Sequence, residues 1–133
     1  MVTGGGARIM VIDDDPALLG FTSRYLVRLG YRVAPYRSSE EAWLQFALPA
    51  ENYSLVMIDL SMAGFSGEQL SRMMLSSKPE IRLILTSGYP FDMETLLQAG
   101  PDRIAFLQKP FTPAMLAETV DRLIRARQKS NAD

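Results

Sequence analysis

Cysteine and histidine are both missing from the 133 residues of this chain. Without thiols there is no disulfide framework and no thiolate metal site. Without imidazole there is no histidine-based triad and no zinc centre of the usual nitrogen and sulfur kind. The lack of disulfides is compatible with a reducing compartment, and the expected location is cytoplasmic. An excess of charge of one sign is missing too: 14 Lys and Arg stand against 15 Asp and Glu, a net charge of -1. That balance supplies no basic footprint for nucleic acid and no polybasic patch for a membrane surface. No apolar run approaches the length that spans a bilayer, and no signal peptide is visible. What remains is a hydrophobic content of 47%, in a length that suits one domain around one core. Gly4, Gly5 and Gly6 cannot hold a regular element, so residues 1–6 read as a flexible leader.

Two apolar patterns alternate along the chain. Short β-type runs are ARIMVID (7–13), YRVAPY (31–36), YSLVMID (53–59), IRLILT (81–86) and RIAFLQ (103–108). Several are apolar without alternation, as expected of strands covered on both faces. Between them lie helical spacings with recognisable ends. Asp15-Pro16 is an N-cap with proline at the first helical position, and Gly30 stops that helix. Ser38-Ser39-Glu40-Glu41 reads as a capping box. A third helix runs from Gly67 to Ser77 before Pro79, and a fourth from Phe91 to Ala99 before Gly100. Thr112-Pro113 opens the last helix, expected to reach about Arg127, with a polar tail over 128–133. Strands alternating with helices predict an α/β fold: a single doubly wound (βα)5 sandwich with a five-stranded parallel sheet. A strand order of 2-1-3-4-5 puts a crevice at the carboxyl ends of strands 1 and 3.

The residues at those ends carry the chemistry. Strand 1 leads into Asp13-Asp14, strand 3 ends in Asp59, strand 4 in Thr86-Ser87-Gly88, and strand 5 runs into Lys109-Pro110-Phe111. In a parallel sheet all these ends lie on one edge. Converging carboxylates without a cation are unfavourable, and some are forced to remain protonated. A divalent metal relieves the repulsion, and Mg2+, with its preference for hard oxygen ligands, suits such a cup. Asp15, just before Pro16, reads as the helix cap alone.

The run IDDDP, then MIDLSMAGFSG, then LTSGYP, then FLQKPF resembles the receiver domain of bacterial two-component response regulators, over about residues 7 to 126. ILTSGYP and FLQKPFTPAML are most similar to receivers attached to hybrid sensor histidine kinases. The resemblance implies a receiver domain over 7–127 and a role for each motif residue. Asp59 is the phosphoacceptor. Asp14 ligates Mg2+ directly, Asp13 largely through a metal-bound water, and the Ser61 backbone carbonyl is a further ligand. Lys109 pairs with a phosphoryl oxygen, and the Thr86 hydroxyl donates to another. Thr86 and an aromatic on strand 5, here Phe106, form the switch. Many relatives have tyrosine at that position, and without a hydroxyl Phe106 is expected to favour the inward rotamer even before phosphorylation. Ala63 stands where relatives usually have proline. Ser61 and Gly88, both small, are expected to admit water to the acyl phosphate and shorten its life.

The implied partner is a sensor histidine kinase or a histidine phosphotransfer protein. The implied activity is self-phosphorylation and autodephosphorylation rather than turnover of a substrate. Nucleic acid and membrane are not direct partners, and a dimer formed on phosphorylation is compatible with the resemblance. The alternative is a receiver-like interaction module that takes no phosphate. A dehalogenase-type phosphatase needs a second aspartate two residues after its nucleophile, where this chain has Ser61. A dinucleotide fold needs G-x-G-x-x-G after strand 1, which is absent.

Overall fold

The computed structural model describes residues 6–48, 52–62, 66–90, 94 and 103–131, with side chains through 126. Strands β1 (Arg8–Ile12), β2 (Arg32–Tyr36), β3 (Leu55–Asp59), β4 (Arg82–Ser87) and β5 (Ile104–Gln108) form one sheet. Every pairing is parallel, and the order is β2-β1-β3-β4-β5, as the alternating pattern predicts. Helices α1 (Pro16–Arg28), α2 (Ser39–Phe46), α3 (Gly67–Ser77) and α4 (Pro113–Asn131) cover it. The helix expected over 91–99 lies, but for Glu94, outside the described residues, as do Ala63 and all of the leader except Gly6.

The unbroken apolar runs have a simple cause. Successive strand side chains point to opposite faces, and here both faces are buried. Ile9, Val11, Leu55, Met57 and Ile84 face the side covered by Leu19 and Leu26 of α1 and Leu116, Val120 and Leu123 of α4. Met10, Ile12, Val56, Ile58, Leu83 and Leu85 face Ala42 and Phe46 of α2 and Leu70 and Met74 of α3. A fully buried Leu or Ile contributes about 1.5–3 kcal/mol, so a one-residue slip of any central strand would exchange both faces at once.

The caps form as the sequence predicts. Asp15 Oδ1 accepts from the amides of Ala17 and Leu18, Ser38 Oγ from that of Glu41, and Thr112 Oγ1 from that of Met115. A further cap, Ser66 Oγ on the Gln69 amide, opens α3. Helix α4 continues to Asn131, beyond the expected end near Arg127. No glycine or proline follows Arg127 to stop it.

Candidate functional site

The carboxyl edge of the sheet brings the strand-end residues together. Strand pairing sets Asp59 beside Thr86 across β3 and β4. The Leu60 amide donates to the Thr86 carbonyl at 2.9 Å, and the Lys109 amide to the Ser87 carbonyl at 2.8 Å. The ends of β3, β4 and β5 are therefore laced one to the next. The Asp13 amide, bonded to the Tyr36 carbonyl at 3.0 Å, does the same between β1 and β2.

Lys109 Nζ stands 3.1 Å from Asp13 Oδ2 and 3.4 Å from Asp59 Oδ2. Asp13 and Asp59 are only 6% and 4% exposed, so a single ammonium is shared by two nearly buried carboxylates. Their other oxygens are held by main chain: Asp13 Oδ1 accepts from the Asp15 amide at 2.9 Å, and Asp59 Oδ1 from the Ser61 amide at 3.0 Å. Asp14 is exposed and turned to the same spot: one oxygen from each of Asp13, Asp14 and Asp59 lies within 4.8 Å of the others.

Burial lifts the Asp13 carboxyl above the ordinary aspartate value of 3.8. The Asp15 amide and Lys109 pull it back in part, while the Asp59 charge pushes the same way as burial. For Lys109, burial works toward a lower value, but the hydrogen bond and charge of Asp13, with Asp59 behind it, raise it overall. The ammonium is thus fixed in its charged form, and one positive charge does not satisfy the carboxylates around it. An additional hard cation fits this donor set: carboxylate oxygens from Asp13, Asp14 and Asp59, at an edge open to solvent on the Asp14 side.

Asp13→Asn makes that imbalance measurable. Between 3.8 and the raised value the folded protein binds more protons than the unfolded chain, so stability falls as pH rises through this window. In divalent-free buffer at neutral pH the asparagine variant is expected to melt above the parent. The gap should close in acid, where both side chains are neutral. Added Mg2+ should raise the parent's melting temperature and the variant's much less. Thermal melts at two pH values, with and without Mg2+, check all three outcomes.

Thr86 is 1% exposed, and among the described residues its hydroxyl reaches only the Ile58 carbonyl, at 3.5 Å. That distance is at the limit of a hydrogen bond, so the hydroxyl is free to take a better acceptor. Phe106 pairs with Leu85, the residue before Thr86, and its half-buried ring packs against the cluster shared with α2 and α3. Ser61 is exposed at the turn after Asp59. Ser87, which the motif reading left without a role, has a structural one: its hydroxyl accepts from the Tyr89 amide at 3.0 Å beside the site. Gly67 also matters here, because a Cβ on it would collide with the main chain of Asp59 and Leu60. The sequence shows only a glycine opening a helix; the collision depends on how α3 meets β3.

Comparison with known proteins agrees with this fold. The family model described as response regulator receiver domain matches residues 9–121. The sensor kinase CckA of Brucella abortus is 28% identical over 120 residues, 90% of this chain and 13% of that protein. A receiver domain protein described as CheY-like, from Methanospirillum hungatei JF-1, superposes with a TM-score of 0.84 at 26% identity, covering 94% of this chain and 98% of that one. The response regulator TrrA of Thermotoga maritima, solved in complex with Mg(2+)-BeF, gives a TM-score of 0.77 at 28% identity over 88% of this chain and 98% of its own. The chain spans about half the length, or less, of the curated relatives it matches. Among the described residues no helix is long and apolar enough to cross a membrane. With its parallel sheet, its carboxylate edge and a family match over most of its length, the chain belongs to the response regulator receiver domains, the phosphoacceptor modules of two-component signal transduction.

Proposed function

We propose that Asp59 accepts a phosphoryl group from a phosphohistidine, and that Asp13, Asp14, Asp59 and the Ser61 carbonyl hold the Mg2+ the transfer needs. The observation that carries this reading is the convergence of Asp13, Asp14 and Asp59 on one point, with Lys109 between two of them. An Asp59 oxygen forms the bond to phosphorus as the bond from phosphorus to the donor nitrogen breaks, and that nitrogen keeps the electron pair. Mg2+, when bound, would neutralise charge on the phosphoryl oxygens. The protein's own part is alignment and charge. The Ser61 amide fixes one Asp59 oxygen, Lys109 swings from Asp13 to a phosphoryl oxygen, and Thr86 trades its long bond to Ile58 for another. Movement of Thr86 and repacking of Phe106 then carry the switch.

The donor is a sensor histidine kinase or a histidine phosphotransfer protein. Its docking place is a cavity of about 350 Å3 lined by Leu18, Phe21, Lys109, Pro110 and Phe111, which opens beside the acceptor. Phe21 there is 42% exposed, stacked on Tyr25 of the same helix, and offers an apolar ledge to the face of a donor helix. Surfaces of β5 and α4 are left for an output partner or a second phosphorylated copy. The match to a sensor kinase supports placing this domain in a hybrid histidine kinase, on the cytoplasmic side.

The test is incubation with phosphoramidate and Mg2+ followed by intact mass. The expected result is a single phosphoryl adduct that is absent when a chelator replaces the metal and that hydroxylamine removes, as it does an acyl phosphate. A protein that stays at its unmodified mass under these conditions, with phosphoramidate in large excess, would instead be a receiver-like interaction module.

A further inference from the structure

The amino terminus of α3 presses on the acceptor turn. A Cβ at Gly67 would stand 2.5 Å from Leu60 Cα and 2.6 Å from the Asp59 carbonyl oxygen. Both are main-chain atoms, so no rotamer change could make room. On its other side the same peptide is tied to the sheet by the Leu60 amide on the Thr86 carbonyl. The peptide after Asp59 is therefore wedged between β4 and the first residue of α3. From the wedged turn the Ser61 amide reaches back to Asp59 Oδ1, so the position of the turn sets the aim of the carboxylate.

One helical turn beyond Gly67, Ser71 is fully buried, and its hydroxyl donates to the Gly67 carbonyl at 2.6 Å. A serine bonding back to the carbonyl four residues earlier often bends the local helix. Here the bond ends on Gly67, the residue through which α3 abuts Asp59 and Leu60. A buried hydroxyl is a poor choice for packing alone, since alanine would fill the helix at no cost in polar burial.

We propose that Gly67 and Ser71 are positioning residues for the acceptor: the glycine lets α3 touch the peptide after Asp59, and the serine fixes the tilt of that contact. Neither touches the phosphoryl group or the metal. They act through the Ser61 amide, and their effect on phosphorylation rests on the reading of Asp59 as acceptor.

The test compares Gly67→Ala and Ser71→Ala with Leu26→Ala, a core substitution in α1 whose cluster on the other face of the sheet holds neither Leu60 nor Met62. Three quantities are measured: the Ser61 amide proton shift without any phosphoryl donor, the Mg2+ dissociation constant by titration, and the phosphoramidate rate at saturating Mg2+. Gly67→Ala is expected to move the Ser61 amide resonance, weaken Mg2+ binding and slow phosphorylation, each of the last two about tenfold, since small misplacements of reacting groups are expensive. Ser71→Ala should do the same by a smaller factor, about threefold. Leu26→Ala should lower the melting temperature and leave the other readings in place. If Gly67→Ala fails to fold, Ser71→Ala, which adds no atoms, decides the matter. Ser61 amide shifts and Mg2+ affinities in the serine variant no different from those of Leu26→Ala overturn the proposal. A parent protein that took no phosphoryl group would sink the functional reading, while the Ser61 resonance would still decide this one.

Discussion

Replacing Asp59 with asparagine is expected to leave a folded protein that gains no phosphoryl group from phosphoramidate and Mg2+. The two side chains have the same shape, and the asparagine oxygen can still accept from the Ser61 amide that now holds Asp59 Oδ1 at 3.0 Å. What is lost is the nucleophile. A neutral amide oxygen carries too little charge to attack phosphorus, and removing a nucleophile from an intact site typically costs well over a thousandfold in rate. Loss of the Asp59 charge also takes away one carboxylate that Lys109 pairs with, at 3.4 Å. Because Asp59 and Asp13 are both nearly buried and share one ammonium, the variant is expected to be no less stable than the parent without Mg2+. Intact mass at times that saturate the parent, with thermal melts as a folding control, gives the result. A Mg2+-dependent adduct of undiminished yield on the variant would move the acceptor elsewhere. If that adduct resisted hydroxylamine, the Thr86 or Ser87 hydroxyl would become the candidate.

The sequence carried most of this site because parallel strands turn sequence order into spatial order. Once the runs ending at Asp59, Thr86 and Gln108 are strands of one parallel sheet, their carboxyl ends must share an edge, whatever the details of packing. The cluster of Asp13, Asp14 and Asp59 needed only that step. The helix caps at Asp15, Ser38 and Thr112 were legible for a similar reason, since a cap is a local bond between residues two or three apart. Tertiary contacts were not legible. Nothing near Gly67 in sequence announces that its missing Cβ is what lets α3 meet the main chain of Asp59. Ser71 sits in a run that reads as an ordinary helix face, and only its burial and its bond to Gly67 set it apart. The same limit applies to the Lys109 geometry. Its place before Pro110 predicted an ammonium at the edge, but not one bonded first to Asp13 and farther from Asp59.

That placement leads to the second large effect. Lys109→Met is expected to bind Mg2+ more tightly than the parent and yet to accept phosphoryl groups far more slowly. In the parent the ammonium occupies space between Asp13 Oδ2 and Asp59 Oδ2, at 3.1 and 3.4 Å, and so competes electrostatically with any metal for the same oxygens. Methionine keeps the length of the stem and removes the charge, leaving those carboxylates with no cation among the described residues within bonding distance. Removing one partner from a buried ion pair typically costs about 3–5 kcal/mol. The Lys109 side chain is 22% exposed, and the carboxylates can take up protons or metal instead. The metal-free variant is therefore expected to lose about 1–3 kcal/mol, toward the lower end of that range and below it. Mg2+ should recover most of that loss, so the variant's denaturation midpoint should depend on Mg2+ more steeply than the parent's. Phosphorylation should nevertheless fall by about a hundredfold or more at saturating Mg2+, because no preorganised charge remains to meet the transferring oxygens. A metal site by itself would be improved by this substitution, whereas a phosphoryl-transfer site would be crippled by it. Opposite movement of Mg2+ affinity and phosphoramidate rate is therefore the signature of Lys109 acting on the phosphoryl group; if both rise together, its role is confined to neutralising Asp13 and Asp59.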